Sequence, residues 1–317
     1  NPSAFVVWGA PQIFTATRDA ELPIVLISLD TLRPDHLSGY GYPRRTTPEI
    51  DRRLIDGGVR FADVSTTISS TGIAHLSLFT GLFPREQRTP GRLRAHDPTQ
   101  TLAETLQAAG FTTAAGTEDG LIAGPFGFWF GFDRFTEQSL VGEARGTETF
   151  LDGARFLRAN RERRFFLFLH TYKVHAPYRS SAAYARFADP DYWHGPLADR
   201  AVPLEHRASV DAYDRAIREA VDQVAAFLGE LERRGLARET LVVLVSDHGE
   251  AFGEHGLTGH GFGGHQEQLH IPWLLRGPGV PAGRVVATPA SIMDVVPTVL
   301  DLLDLPAVDT QGRSLRA

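Results

Sequence analysis

The chain has 317 residues, 42% hydrophobic and 22% charged, the proportions of a soluble globular protein with a sizeable core. Its net charge of −6 offers no basic surface for nucleic acid or anionic lipid. It has no cysteine, which excludes disulfides, thiolate metal sites and cysteine catalysis, and no run of about 18 apolar residues that would span a membrane.

The start at Asn1 and the short apolar stretch to Phe14, broken by proline and glycine, read as a trimmed N-terminal extension over residues 1–22. A removed signal peptide or a membrane anchor upstream is compatible with it. Residues 23–317 read as one domain without internal repeats or low-complexity linkers. Apolar runs alternate with amphipathic stretches, the pattern of an α/β fold with a largely parallel sheet.

Pro23 to Leu29 (PIVLISL) predicts a buried strand ending at Asp30. Thr47-Pro48 opens a helix that Gly57-Gly58 closes, with Ile50, Leu54 and Ile55 inward. From Thr71, residues Ile73, Leu76 and Phe79 recur at helical spacing and Gly81 ends the helix. Thr101 with Glu104 forms a capping box for a helix that stops at Gly110.

Phe165 to Leu169 (FFLFL) predicts a second strand, ending at His170. From Tyr213, residues Ile217, Val221, Val224, Leu228 and Leu231 mark a long helix reaching Arg233. Leu241 to Ser246 predicts a third strand, followed by Asp247 and His248, and Ile271 to Arg276 a fourth. The segment SIMDVVPTVLDLL is helical, kinked or split at Pro297.

Three apolar strands thus end in Asp or His. Ligands of open α/β sheets bind at the carboxyl ends of the strands, so three separate observations become one candidate site. The densest polar segment, Ser246 to His270, holds five histidines: His248, His255, His260, His265 and His270. Asp, His and Glu there suit a hard or borderline divalent cation, and the glycines let the loop approach it. His255 reads as a substrate contact in that loop. Asp30 is a plausible carboxylate ligand, whereas turn chemistry explains Asp35 and His36 equally well. His175 and Lys173, the only lysine in the chain, follow the second strand and suit an anionic substrate; a structural role explains either as readily.

Thr71 lies at or next to a helix N-cap. Capping accounts for it fully. The same position also presents free amides and a positive dipole end to a phosphate or sulfate, with His75 one turn along the same face. A hydroxyl beside such an anion, deprotonated with the help of a metal ion, is a nucleophile.

The stretches IVLISLDTLRPDHLSGYGYPRRTTPEID, LFTGLFP, FLHTYKVHAPY, SDHGEAFGEHGLTGHG and IPWLLRGPG together resemble the sulfatase-like branch of the alkaline phosphatase superfamily, from about Pro23 to Leu315. The resemblance implies a three-layer α/β/α sandwich around a mostly parallel sheet, with a small C-terminal subdomain. Formylglycine sulfatases carry Cys or Ser at the position of Thr71, and threonine cannot yield their aldehyde. The chain is similar instead to relatives with a threonine nucleophile: phosphoglycerol and phosphoethanolamine transferases and lipoteichoic acid synthases. Where a related group reads Thr-x-Pro-Ser-His, this chain reads Thr71-Gly72-Ile73-Ala74-His75.

Carried over by position, the metal ligands are Asp30, Thr71, Asp247 and His248, around one divalent ion (Mn, Zn, Mg or Ca). Thr31 replaces the second acid of the calcium arrangement, which favours Mn or Zn. His260 falls at a residue contacting the substrate anion, His175 at a histidine beside the pocket, and His75 at the arginine of the sulfatase motif. The implied function is a metal-dependent hydrolase or transferase of phosphoesters or phosphodiesters through a phosphothreonine at Thr71. Sulfate-ester hydrolysis without formylglycine and a non-catalytic binding module are the alternatives. Relatives usually work outside the cytoplasm, often behind a membrane anchor.

Overall fold

A computed structural model describes residues 22–316, apart from 88–89, 94–98, 139–144, 186, 188–189, 196, 198–199 and 201. The N-terminal extension, but for its last residue, lies outside the described residues.

In chain order the main elements are β1 (Ile24–Leu29), β2 (Val59–Phe61), α1 (Thr71–Thr80), α2 (Leu102–Ala108), β3 (Thr112–Glu118), β4 (Arg134–Gln138), α3 (Thr147–Asn160) and β5 (Phe165–Thr171). They are followed by α4 (Arg207–Arg233), β6 (Leu241–Val245), β7 (Trp273–Arg276), β8 (Arg284–Val286) and α5 (Val295–Leu302). The eight strands form one sheet in the order β8-β2-β7-β6-β1-β5-β3-β4. Only β7 runs against its neighbours; β1 pairs in parallel with both β5 and β6, with Ile24 opposite Phe166 and Leu241.

The central strands are continuous apolar runs because both faces of the sheet are covered. Successive side chains point to opposite faces. Val25, Ile27 and Leu29 join one core with Ile217, Val221, Val224 and Leu228 of α4. Ile24 and Leu26 join the other with Leu76 and Phe79 of α1, Leu106 of α2 and Val299 of α5. The result is the three-layer α/β/α sandwich with a mostly parallel sheet.

Several local expectations change. Residues 48–55 form a single α turn, Pro48–Ile50, continued by a π-helical turn, Asp51–Ile55, in place of a regular helix. Asp51 accepts hydrogen bonds there from Ser38 and Thr47. The strand expected from Ile271 begins at Trp273, after Pro272, which has no amide for a ladder. Pro297 sits in the first turn of α5, where its missing amide costs nothing, and the split falls before it, at a 3-10 turn (Ile292–Asp294) capped by Ser291. The C-terminal segment, expected as a small subdomain, shares the main core: β8 pairs with β2 at the sheet edge and α5 packs beneath it. Strand β3 reads TTAAGTE, without an apolar run, and had no sequence signal; it forms because β5 and β4 pair on either side of it.

Candidate active site

Because β6, β1 and β5 are adjacent and parallel, their carboxyl ends open on one edge of the sheet. Asp30 follows β1, Asp247 and His248 follow β6, and His170 is the last residue but one of β5; all four are fully buried. Ligand atoms of Asp30, Asp247 and His248 lie within 4.8 Å of one another. Helix α1 brings Thr71 to the same point: Ser70 is its extended N-cap and Thr71 its first residue. Thr71 Oγ1 lies 3.1 Å from Nε2 of His248. The entry into the helix needs no proline, since Ala74 already donates to the Ser70 carbonyl at 2.9 Å.

Both oxygens of Asp30 and Oδ2 of Asp247 are buried without a hydrogen-bond partner among the described residues. Burial, and then repulsion by Asp247, push the Asp30 carboxyl up to about 7. Two buried carboxylates so close, with both oxygens of one and Oδ2 of the other unpaired among the described residues, are unfavourable alone. A divalent cation removes that mismatch, so this donor set fits one. Nδ1 of His248 faces the Gly249 carbonyl at 3.0 Å and donates to it, which leaves the Nε2 lone pair facing Thr71.

The turn after β1 is strained to deliver Asp30. Thr31 is β-branched yet has φ 60°, in the left-handed region. It is held there from both sides: its amide donates to Asp247 Oδ1 at 3.3 Å, and its carbonyl accepts from the buried Tyr213 hydroxyl at 2.6 Å. At the end of β3, buried Glu118 accepts from the Thr171 hydroxyl at 2.7 Å and the Tyr172 amide at 2.9 Å, and so fixes the exit of β5.

The three histidines expected to face substrate divide. His260 and His175 lie together at the mouth, with ring centroids 4.9 Å apart, and His260 is 4.4 Å from His248. Nδ1 of His260 donates to Glu250 Oε1 at 2.9 Å, while Tyr178 donates to the other oxygen of this fully buried glutamate. Burial works against charge on His260, but the hydrogen bond and charge of Glu250, helped by Asp30 and Asp247, hold it above the ordinary histidine range. His175 donates from Nδ1 to the Ala176 carbonyl at 2.6 Å.

His75 does not line the mouth. Its Nδ1 donates to the Thr71 carbonyl at 2.8 Å and its Nε2 accepts from Ser28 Oγ at 3.0 Å, so both nitrogens are spent on the protein. Burial pushes it down to about 3, and it is a neutral strut behind Thr71 and Asp247.

Two expected substrate contacts are corrected. Lys173 is only 3% exposed and its Nζ lies 2.9 Å from Glu219 of α4, an internal ion pair rather than an anion-binding group. His255 bonds Glu267 at 2.7 Å, with its ring stacked on His265, and belongs to a donor grouping separate from Asp30, Asp247 and His248. His255, His265 and Glu267 are a second grouping of potential metal donors, but the two imidazoles are exposed and parallel at 4.0 Å, so their lone pairs do not converge. Asp35 pairs with Arg33, and His36 with buried Asp214 at 2.7 Å, both as structural supports.

The family model for sulfatases matches residues 23–305. The chain belongs to the sulfatase family. It is 39% identical to mouse steryl-sulfatase over 164 residues, which is 48% of this chain and 23% of that protein. It is 25% identical to the Escherichia coli phosphatidylethanolamine transferase Mcr-1 over 325 residues, 97% of this chain and 59% of that one. The chain therefore spans a quarter to under two thirds of these curated relatives' lengths. Among solved structures, the phosphonate monoester hydrolase of Agrobacterium radiobacter has the same fold, with a TM-score of 0.76 at 21% identity, covering 93% of this chain and 76% of that one.

Within this sulfatase fold, sequence reasoning missed Glu250, Tyr213 and Ser28 as supports of the site. Glu250 was visible as an acid in the histidine-rich loop. Nothing in the chain shows that Tyr213, 182 residues from Thr31, reaches its carbonyl.

Proposed function

We propose that the chain is a metal-dependent hydrolase or transferase of phosphoesters or phosphodiesters, with Thr71 as nucleophile. The observation that carries this reading is the Thr71 hydroxyl 3.1 Å from Nε2 of His248, inside a buried cluster with Asp30 and Asp247. Asp30, Thr71, Asp247 and His248 would hold the cation, which favours the alkoxide form of a coordinated hydroxyl and offsets charge on the transferred group.

Thr71, its hydroxyl proton released to solvent, attacks phosphorus in line through Oγ. The new phosphorus–oxygen bond forms as the bond to the alcohol breaks, giving phosphothreonine. The α1 amide end, His175 and His260 face the anionic group. His260, held protonated by Glu250, gives its proton to the leaving alkoxide and can take one from the incoming water or acceptor alcohol. That second attack breaks the phosphorus–Oγ bond and returns Thr71. His75 and Ser28 keep the Thr71 end of α1 in place.

Sulfate-ester hydrolysis by the same hydroxyl is the second reading, favoured by the match to steryl-sulfatase. Work outside the cytoplasm belongs to the proposal, as for the relatives it resembles; no helix among the described residues is long and apolar enough to cross a membrane. Aryl phosphate monoester, aryl phosphodiester and aryl sulfate, assayed side by side with Mn²⁺ or Zn²⁺, test it. Faster turnover of a phosphorus ester is expected; faster turnover of the sulfate would replace the first reading with the second, and no turnover of any would favour a binding module.

A further inference from the structure

His170 is the one strand-end residue of the three that the chemistry above leaves without a task. It is fully buried on β5, in register with Ser28 of β1. Neither of its ring nitrogens meets a hydrogen-bond partner among the described residues. The other buried histidines do: His36 bonds Asp214, His75 bonds Ser28 and the Thr71 carbonyl, and His248 bonds the Gly249 carbonyl. A buried polar group left unpaired is destabilising, so an imidazole here needs a reason beyond filling space. Its neighbours supply none: Tyr172 meets it edge-on at 4.6 Å, His75 edge-on at 4.8 Å, and Phe168 lies stacked at 6.4 Å. A phenyl ring would pack there as well.

The nearest charged atom supplies the reason. Nε2 of His170 lies 3.5 Å from Oδ2 of Asp30, whose two oxygens are also unpaired among the described residues. The two unpaired groups face each other, a few tenths of an ångström beyond hydrogen-bond length.

We propose that His170 is the positioning residue of Asp30: its Nε2–H holds Oδ2, so that the rest of the carboxylate is turned toward the divalent cation. The inference rests on the reading of Asp30, Asp247 and His248 as a cation site. Carboxylates that bind metals are themselves held by hydrogen bonds, and losing such a partner typically weakens metal affinity about 10–100-fold.

The test is calorimetric titration of the metal-free protein with Mn²⁺ and with Zn²⁺, comparing wild type, His170→Phe and His170→Gln. Phenylalanine keeps the ring and loses the donor; the glutamine amide nitrogen reaches about as far as Nε2. The Phe variant is expected to weaken Kd about 10–100-fold with unchanged metal-free circular dichroism, and the Gln variant to recover most of the loss. A folded Phe variant with wild-type Kd, or equal losses in Phe and Gln, would overturn the proposal while leaving the cation site intact. Failure of wild type itself to bind either ion would remove both. Should the Phe variant not fold, His170→Met takes its place, with the same outcomes read against Gln.

Discussion

Thr71 Oγ1 and His248 Nε2 stand 3.1 Å apart although 177 residues separate them in the chain. The hydroxyl comes from the first turn of a helix and the imidazole from the loop after a strand, so two rigid elements set the distance. If Thr71 is the nucleophile, Thr71→Ala should lower kcat at least about a thousandfold at saturating metal, with unchanged circular dichroism. Thr71→Ser should retain measurable turnover. Full activity in the alanine variant, in the ester assay, would end the threonine mechanism.

The buried carboxylate of Asp30 predicts how metal and pH couple. Its folded pKa is raised to about 7. A raised acid binds more protons in the folded state than in the unfolded one, so metal-free stability should fall as pH rises from about 4 to 7. The cation should reverse this. Thermal melts from pH 5 to 8 should show Mn²⁺ or Zn²⁺ raising Tm more at pH 7.5 than at pH 5. Asp30→Asn should raise the metal-free Tm at pH 7.5 and remove the metal-dependent increase.

Glu250 predicts a pH profile. His260 is held above the ordinary histidine range, with burial opposing and Glu250 favouring its charge. As an acid it is active while protonated, so the alkaline limb of kcat/KM should follow it. Glu250→Gln should move that limb to lower pH. The sign for stability is the same: the pair contributes most below the ordinary histidine pKa of about 6.5 and is lost as pH rises through the raised value. Rate profiles of the two proteins between pH 5 and 9 check this; coincident alkaline limbs would remove His260 as the acid.

Lys173 predicts a stability effect instead of a binding effect. Its ammonium and the Glu219 carboxylate are almost wholly enclosed. Lys173→Ala leaves Glu219 without that cation and should cost about 3 kcal/mol in urea unfolding. KM for mono- and dianionic substrates should stay at the wild-type value. A selective rise in KM for the more charged substrate would return Lys173 to the binding site.

The strands that build the centre of the sheet were legible because they are buried on both faces and therefore read as unbroken apolar runs. The polar residue at each end was legible for the same reason: Asp30, His170 and Asp247 interrupt those runs abruptly. Strand β3 was not legible, since its Ala, Gly and Thr residues carry no pattern until β4 and β5 flank them.

By itself, the order of motifs determined the family and the sandwich, because strand and helix periodicities and short runs of side chains are local properties. Only the tertiary structure decided which neighbours each side chain meets. It turned Lys173 inward to α4, spent both nitrogens of His75 on Ser28 and Thr71, set His260 on Glu250, and left His170 facing Asp30. Apart from His75 with Thr71, one helical turn away, such contacts join residues ten or more positions apart. Burial removes water as a competing partner there, so their geometry and charge are settled by packing and not by residue type.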